Sequence, residues 1–390
     1  MNVFRALPVL LLCVASGGCR TRPDDLPQAD PSACVLVESG WGPAGTVQVK
    51  VETVATGLEV PWGIAWLPGG DALVTERPGR VRLLSGGQLI PTPVATVRTA
   101  SSSEGGLLGI AAHPDFAANR QFYLYVTTSE GGAQNRIERW TLSEDHRSAA
   151  FDRVIFANIP SATYHDGGRL RFGPDGMLYA GTGDAREPSV AQNLDSPAGK
   201  LLRLTPDGEV PADNPFPGKA AYLVGLRNLQ AFDWKDENTL YVADHGPSGD
   251  LGRRGHDEVT VARKGENLGW PTAYGCGTQS GLVTPGLTSV TAMPPGGGAI
   301  YTGSAIPEWQ GSFLVGTLVS RHLHRVAFDA ADPRKVATHE VYFQGDPPNG
   351  HGRLREVIMG PDGHLYVTTS NCDGRGTCPA DKDRILRISR

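Results

Sequence analysis

Six short segments along the chain share one pattern of polar and apolar positions. In each, a polar turn carrying Pro, Asp or Gly precedes a run in which apolar residues tend to alternate with polar ones, as in GPDGMLYAGTGD. The six segments are 67–76, 113–127, 173–184, 233–246, 306–317 and 360–369. Alternation with period two is typical of a half-buried β-strand, and the turn residues separate one strand from the next. The pattern therefore predicts an all-β protein built of many short strands.

The spacing of these segments predicts how the strands are arranged. Neighbouring turns lie 46 to 74 residues apart when measured between Gly69, Asp115, Asp175, Asp236, Gln310 and Asp362. A four-stranded propeller blade takes about 40–50 residues, so the surplus belongs to loops, which tend to gather on one face. We therefore predict a six-bladed β-propeller over residues 46–390, with long loops over a central cleft. Two β-sandwich domains are the alternative, which the continuous recurrence from Val47 to Arg390 disfavours.

The two ends of this region carry strand-like sequence that can close the ring. Each blade needs a neighbour on both sides to bury its sheet faces, so a propeller must close on itself. The segment VQVKVETVATGL at 47–58 is predicted to complete the last blade beside DRILRISR at 383–390. The 50 Gly and 30 Pro residues agree with a chain of many tight turns.

Residues 1–19 have the pattern of an export signal. A charged start precedes an apolar run that is too short to span a bilayer, and small residues lead up to Cys19. Two alternatives stay open: cleavage alone, or lipidation of Cys19, which would be the only membrane attachment. Residues 20–45, rich in Pro, Asp and Gly, are predicted to be a flexible tether. The protein is therefore expected in the periplasm or cell envelope.

The cysteines and the net charge fit an exported protein that does not bind nucleic acid. Beyond the signal four cysteines remain, an even number that predicts disulfides in an oxidising compartment. Cys372 and Cys378 share a short Gly-bearing loop, which predicts a local bridge, whereas Cys34 and Cys276 pair only by elimination. The formal net charge of -5 gives no electrostatic reason to expect a nucleic acid partner.

The first candidate for chemistry is a histidine followed by an aspartate. His165 precedes a Gly-Gly turn and a strand, and Asp184 ends the next strand, nineteen residues on. One strand running away and one running back would return Asp184 to the face that presents His165. A histidine held by a carboxylate is a good general base near neutral pH. The alternative is a loop histidine and a turn aspartate that share no function.

Two further stretches place basic residues where an anionic partner would explain them. Arg227 and Asn228 enter a strand, an unusual position for a charge and an amide unless both face a polar ligand. Arg353 and Arg355 alternate and so point to one side of a strand, which indicates an anion there. The alternatives are a salt-bridged arginine at a blade end and an exposed basic edge.

A Gly-rich loop after His245 is the candidate metal site. It begins with Gly246 and Pro247 and ends in Asp257 and Glu258. Backbone carbonyls and carboxylates are the ligands that Ca²⁺ prefers in proteins. The alternative is a solvated acidic turn.

Together these stretches resemble the soluble PQQ-dependent glucose/sorbosone (aldose sugar) dehydrogenase family. The resemblance also includes VPWGIAWLPGGDALVTERPGRVRLL (60–84), EGGLLGIAAHPDF (104–116) and GENLGWP (265–271), and it spans residues 50–390. It implies a six-bladed propeller that holds pyrroloquinoline quinone (PQQ) in its central cleft. His165 would be the catalytic base, Asp184 would orient it, and Arg227 would stabilise the negative charge that grows on the quinone oxygens.

The resemblance also implies the remaining ligands of the cofactor and the metal. Cofactor contacts are implied for Glu104, His165, Arg227, Asn228, Arg353 and Arg355. A Ca²⁺ ion would bridge PQQ and the backbone carbonyls of Gly246 and Pro247, and a second, structural Ca²⁺ would lie near Glu258.

The sequence departs from the family pattern at two cofactor positions. Glu104 stands where glucose-oxidising members have Gln, which weakens the case for glucose itself as the substrate. Val319 stands where the family has a cofactor-binding Lys. Arg321, two residues on, would lie on the same side of an extended strand and is predicted to replace that Lys.

The sequence therefore predicts a PQQ-dependent oxidoreductase that oxidises aldoses or related alcohols at the anomeric carbon by hydride transfer to PQQ. Its partners would be a small sugar substrate and a quinone or cytochrome electron acceptor. Two alternatives come from other classes: a Ca²⁺-dependent propeller lactonase, and a non-catalytic binding propeller that lost PQQ at Val319.

Overall fold

The computed structural model describes residues 34–100 and 103–390, which form a ring of six β-sheets with almost no helix. This confirms the predicted six-bladed β-propeller. The predicted signal at 1–19, with Cys19, lies outside the described residues. No helix of the described ranges is long and apolar enough to cross a membrane.

The strands follow one another around the ring, blade by blade. Two N-terminal strands are β1 (Val35–Val37) and β2 (Lys50–Leu58). Blade one has β3 (Pro61–Trp66), β4 (Ala72–Glu76), β5 (Arg80–Ser85), β6 (Gln88–Leu89) and β7 (Ala95–Thr96). Blade two has β8 (Leu107–Ala112), β9 (Gln121–Thr128), β10 (Gln134–Leu142) and β11 (Ala149–Ile159). Blade three has β12 (Leu170–Phe172), β13 (Leu178–Gly181), β14 (Lys200–Leu204) and β15 (Ala221–Val224).

The second half of the ring repeats this arrangement. Blade four has β16 (Leu229–Asp236), β17 (Thr239–Asp244), β18 (Asp257–Ala262) and β19 (Leu287–Ser289). Blade five has β20 (Pro295–Ile300), β21 (Phe313–Thr317), β22 (Leu323–Phe328) and β23 (Val336–Tyr342). Blade six has β24 (Leu354–Met359), β25 (Leu365–Thr369) and β26 (Asp383–Ser389). Among the residues that the structure describes, the helical elements are one short α-helix (Phe116–Asn119) and three 3-10 turns (Pro188–Gln192, Asp250–Gly252 and Pro307–Trp309).

The N-terminal strand β2 closes the ring, as predicted. It pairs antiparallel with β26, in a register that sets Lys50 opposite Ser389 and Thr53 opposite Leu386. Blade six thereby gains its fourth strand from the other end of the chain. The ring needs this strand because the core lies between blades: one apolar cluster joins Leu73 of blade one to Phe122 of blade two.

The segment before β2 differs from its prediction. Residues 20–45 were expected to form a flexible tether, but those from Cys34 onward lie on the propeller. Strand β1 pairs parallel with β19 of blade four, and the indole of Trp41 donates to the backbone carbonyl of Ala292 at 3.3 Å. Ala44 then bridges to Val341 of blade five. Backbone pairing with two blades explains why these residues are ordered, and residues 20–33 lie outside the described range.

Both predicted disulfides are present. Cys34 bonds to Cys276, 242 residues away along the chain, and fixes the N-terminal segment to a loop of blade four. Cys372 bonds to Cys378, six residues away, and closes the loop that follows β25.

The antiparallel order within each blade decides where loops can meet. The innermost strand of a blade begins at the same end of the ring at which the second strand ends. Residues just before β8, β12, β16 and β24 therefore meet residues just after β13, β17, β21 and β25 at one mouth of the central channel. This geometry brings together side chains that are far apart in the sequence.

The two disulfides should stabilise the fold by different amounts. In the chain-entropy model, a bridge that closes a longer loop removes more freedom from the unfolded chain. We expect the Cys34→Ser, Cys276→Ser double variant to lose about 5 kcal/mol in the free energy of unfolding, against about 2 kcal/mol for Cys372→Ser, Cys378→Ser. Denaturant unfolding followed by tryptophan fluorescence measures both. Equal losses would contradict the loop-length argument.

Candidate active site

Two adjoining cavities at the mouth of the channel form one cleft. The outer cavity encloses about 580 Å³ and the inner one about 110 Å³. Glu104, His245, Ser248 and Arg375 line both of them. A combined volume of this size is in the range of small-molecule sites. The cleft is therefore the candidate site for cofactor and substrate.

His165 and Asp184, the predicted base and its carboxylate, are in contact. His165 Nδ1 lies 2.7 Å from Asp184 Oδ1, and both residues are buried although His165 lines the outer cavity. Gly183 makes this approach possible, because a Cβ there would lie 1.8 Å from the backbone oxygen of His165. A carboxylate only accepts hydrogen bonds at neutral pH, so Nδ1 carries the proton and Nε2 is the basic nitrogen.

Asp184 is itself held by Trp270, a residue of the GENLGWP segment for which the sequence predicts no role. The Trp270 indole donates to Asp184 Oδ2 at 2.9 Å. The backbone N–H of Asp184 also donates to the carbonyl of Arg227 at 2.8 Å. Both carboxylate oxygens are thus engaged, which fixes the orientation of the histidine ring.

Glu104 connects the base to the rim of the cleft. Its carboxylate accepts the backbone N–H of His165 at 3.0 Å and the Arg375 guanidinium at 2.9 Å. Burial raises the pKa of Glu104, but the His165 N–H and Arg375 outweigh burial, so the pKa lies below its usual value. Glu104 is therefore an anion at neutral pH and an acceptor in the cleft.

Arg227 and Asn228 sit side by side at the start of blade four. Both backbone N–H groups donate to the carboxylate of Asp244, at 2.7 Å and 2.9 Å. The Arg227 guanidinium lines the outer cavity and pairs with Asp250 at 2.6 Å. Asn228 lies behind the cleft wall, where its Oδ1 accepts the backbone N–H of Gly167 at 2.9 Å. Arg227 thus faces the cleft directly, whereas Asn228 supports its wall.

His245 fills the wall between the two cavities. Its Nε2 lies 2.6 Å from the carbonyl of Pro295, so it donates there, and its Nδ1 faces the Asn228 amide at 3.4 Å. Burial lowers the pKa of His245 to about 3. His245 is therefore neutral at physiological pH and acts as a fixed spacer rather than a base.

Arg353 and Arg355 point into the inner cavity, on the same side as predicted. Both approach the single carboxylate of Asp373, at 2.8 Å and 3.6 Å. With Arg77 and Arg375, four guanidinium groups line a cavity whose nearby carboxylates are Glu104 and Asp373. Burial lowers the pKa of both Arg353 and Arg355, and neighbouring arginines lower it further. An anionic group bound there would relieve this repulsion, so the residues fit a polycarboxylate such as PQQ.

The candidate metal residues lie beside the cleft. The backbone N–H of Gly246 donates to Asp257 at 2.9 Å, and Pro247 is the next residue. Glu258 accepts the backbone N–H of Gly275 at 2.8 Å, and burial raises its pKa well above the usual value. Within residues 34–100 and 103–390, no three His, Cys, Asp or Glu side chains are grouped as metal ligands. A Ca²⁺ ion here would depend on backbone carbonyls and on oxygens of a cofactor.

The structure separates Val319 from Arg321. Val319 lines the inner cavity and is 57% exposed. The side chain of Arg321 instead pairs with Asp346. The expectation that both share one side of an extended strand fails because β21 ends at Thr317 and Arg321 has a left-handed φ of 54°. Arg321 is therefore not placed to replace the family's Lys.

Several cleft residues have no role predicted from the sequence, among them Tyr164, Arg186, Asp250, Asp373 and Arg375. Asp373 and Arg375 lie inside the Cys372–Cys378 loop, for which the sequence predicts only a disulfide. These two residues have a sequence signal, since a charged residue in a closed Gly-bearing loop is held at a defined position.

Fold and site together define the class of the protein: a six-bladed propeller of the sugar-dehydrogenase type, with a carboxylate-bound histidine and buried arginines at one mouth of its channel. The sequence model of the glucose/sorbosone dehydrogenase family matches residues 58–386. The chain belongs to that family.

Individual relatives agree with this assignment. The chain is 31% identical to the aldose sugar dehydrogenase YliI of Escherichia coli, over 88% of this chain and 95% of the relative. It is 27% identical to quinoprotein glucose dehydrogenase B of Acinetobacter calcoaceticus, over 76% and 70%. The PQQ-bound aldose sugar dehydrogenase of Streptomyces coelicolor superposes with a TM-score of 0.77 at 35% identity, covering 89% of this chain and 99% of that one.

Trp270 should act on turnover through Asp184. In Trp270→Phe the carboxylate loses a donor, so Asp184 and the His165 ring that it orients are held less firmly. We expect kcat to fall about tenfold with KM little changed, the effect of one hydrogen bond to a charged group. Trp234→Phe, at the other end of the channel, is the matched control. A loss of thermal stability with an unchanged kcat would mean that Trp270 is only structural.

Proposed function

We propose that this protein oxidises aldose sugars or related alcohols at the anomeric carbon, with PQQ as its redox cofactor. The observation that carries the proposal is the juxtaposition of the His165–Asp184 pair with an adjoining cavity that holds four guanidinium groups. The His165–Asp184 pair is a base that can remove a hydroxyl proton, and the cavity with the four guanidinium groups can bind a polycarboxylate. Relatives named as aldose sugar and quinoprotein glucose dehydrogenases support the same chemistry.

His165 would hold the proton in this reaction. Its Nε2 accepts the proton of the substrate hydroxyl, while Asp184 stabilises the imidazolium that results. When bound, PQQ supplies a quinone that accepts the hydride from the sugar. Arg227, buried and facing the cleft, would stabilise negative charge that develops opposite the base. Arg353 and Arg355 would hold the cofactor carboxylates.

The metal and the partners complete the proposal. A Ca²⁺ ion would take the carbonyls of Gly246 and Pro247, and a second would lie near Glu258. Electrons would leave to a quinone or a small cytochrome, and export to the periplasm or cell envelope agrees with the two disulfides.

One observation favours a second candidate function. Val319 gives the inner cavity an apolar side chain where the family has Lys, and Arg321 does not compensate. A propeller that binds a ligand without turnover would tolerate this loss. The lactonase alternative has less support, since no group of three carboxylate or histidine ligands occurs in the part of the chain that the structure describes.

Reconstitution tests the proposal. Metal-free protein is titrated with PQQ and Ca²⁺ and then assayed with a panel of aldoses and an artificial electron acceptor. Saturable PQQ binding with sugar-dependent dye reduction is the expected result. Absence of binding at micromolar PQQ would favour the ligand-binding propeller instead.

Two variants separate catalysis from cofactor binding. His165→Ala should keep PQQ affinity but lower kcat by about a thousandfold, because general-base catalysis contributes on that scale. Arg353→Ala should instead weaken PQQ binding by about thirtyfold, the effect of losing one charge-assisted contact. Arg147→Ala, an exposed arginine at the other end of the ring, is the control. An unchanged dissociation constant in Arg353→Ala would remove the arginine pair from the cofactor site.

A further inference from the structure

The wall of the outer cavity carries one positive charge without a carboxylate partner. Arg227 pairs with Asp250 at 2.6 Å, and Arg375 pairs with Glu104 at 2.9 Å. Arg186 lines the same cavity, yet no carboxylate of residues 34–100 and 103–390 lies within 4.0 Å of its guanidinium. The cavity therefore presents a guanidinium group that is available to a ligand.

The backbone fixes Arg186 relative to the catalytic base. Its N–H donates to Asp184 Oδ1 at 2.9 Å, and the preceding Ala185 N–H donates to the carbonyl of His165 at 3.2 Å. Ala185 and Arg186 both have left-handed φ values, 50° and 66°. Such a conformation is uncommon for residues with a side chain and is concentrated at functional sites. The chain thus adopts an unfavourable turn that sets Arg186 directly beside the His165–Asp184 pair.

Tyr164, the residue before the base, extends this surface. Tyr164 is 41% exposed and lines the outer cavity, and the centre of its ring lies 5.8 Å from the Arg186 guanidinium and 5.4 Å from that of Arg375. Glu187, which follows Arg186 in the sequence, does not pair with it. The Glu187 carboxylate instead accepts a hydrogen bond from the hydroxyl of Ser189 at 2.7 Å. An aromatic ring with two guanidinium groups near it therefore lines the same cavity as the base.

We propose that Arg186, with Tyr164, makes the cleft selective for aldoses that carry an anionic group remote from the anomeric carbon, either a carboxylate or a phosphate. This inference rests on the proposed function and names its substrate class. A guanidinium group binds a carboxylate or a phosphate through paired N–H donors. Arg186 and Tyr164 are free for this role because neither is proposed to hold the cofactor. The base would act at the anomeric hydroxyl while Arg186 holds the far end of the sugar.

The test compares acidic with neutral sugars. The reconstituted protein is assayed for kcat and KM on glucuronate, galacturonate and glucose 6-phosphate, and on glucose and galactose. We expect a higher kcat/KM for at least one acidic sugar than for the neutral sugars. Preference for a uronate would indicate a carboxylate as the anion that Arg186 binds, and preference for glucose 6-phosphate would indicate a phosphate. In Arg186→Gln the ratio of acidic to neutral kcat/KM should fall about tenfold, chiefly through KM, as expected for one hydrogen bond to a charged group.

Two controls make the result specific. Arg186→Lys keeps the charge and should restore part of the preference, and Arg147→Gln, at the other end of the ring, should leave the ratio unchanged. Neutral sugars oxidised as well as acidic ones, or a ratio unaffected by Arg186→Gln, would overturn the inference while the dehydrogenase assignment stands. Oxidation of no sugar at all would overturn the proposed function itself.

Discussion

The structure depends on the mutual burial of neighbouring blades. No blade can cover its own sheet faces, so each apolar cluster of the core spans two blades or more, and the ring is stable only when it is complete. A closed ring of antiparallel blades also has two distinct ends. At one of them the starts of innermost strands and the ends of second strands meet, and all the proposed chemistry lies there.

The mouth of the channel that holds the cleft is rich in positive charge. The chain as a whole is acidic, with a formal net charge of -5, yet its cleft gathers arginines from four different blades and loops. Most are restrained by a carboxylate: Asp250 holds Arg227, Glu104 holds Arg375, and Asp373 serves Arg353 and Arg355 together. Because Arg353 and Arg355 share the one carboxylate of Asp373, this group of three side chains keeps a net positive charge, which can attract an anionic cofactor.

The sequence predicted the fold because the turn-and-strand pattern is local and repeats in every blade. It also predicted the His165–Asp184 contact, because two consecutive antiparallel strands must return the chain to the same end. Trp270 and Arg375 could not be placed in this way, since each reaches the site from a loop whose path only the folded ring defines. Arg321 was misplaced for a local reason: alternation holds within a strand, and β21 ends before it.

Ring closure by β2 has a consequence for how the protein is made. Strand β2 and its partner β26 lie on either side of nearly all the other strands in the sequence, so Thr53 can pair with Leu386 only after the chain between them has been made. Native contacts of such high sequence separation slow folding and leave strand edges exposed until they form. Blade six therefore cannot be completed before the strands of the other five blades have been synthesised. The propeller closes late in folding, and β2 keeps an unpaired edge until β26 reaches it.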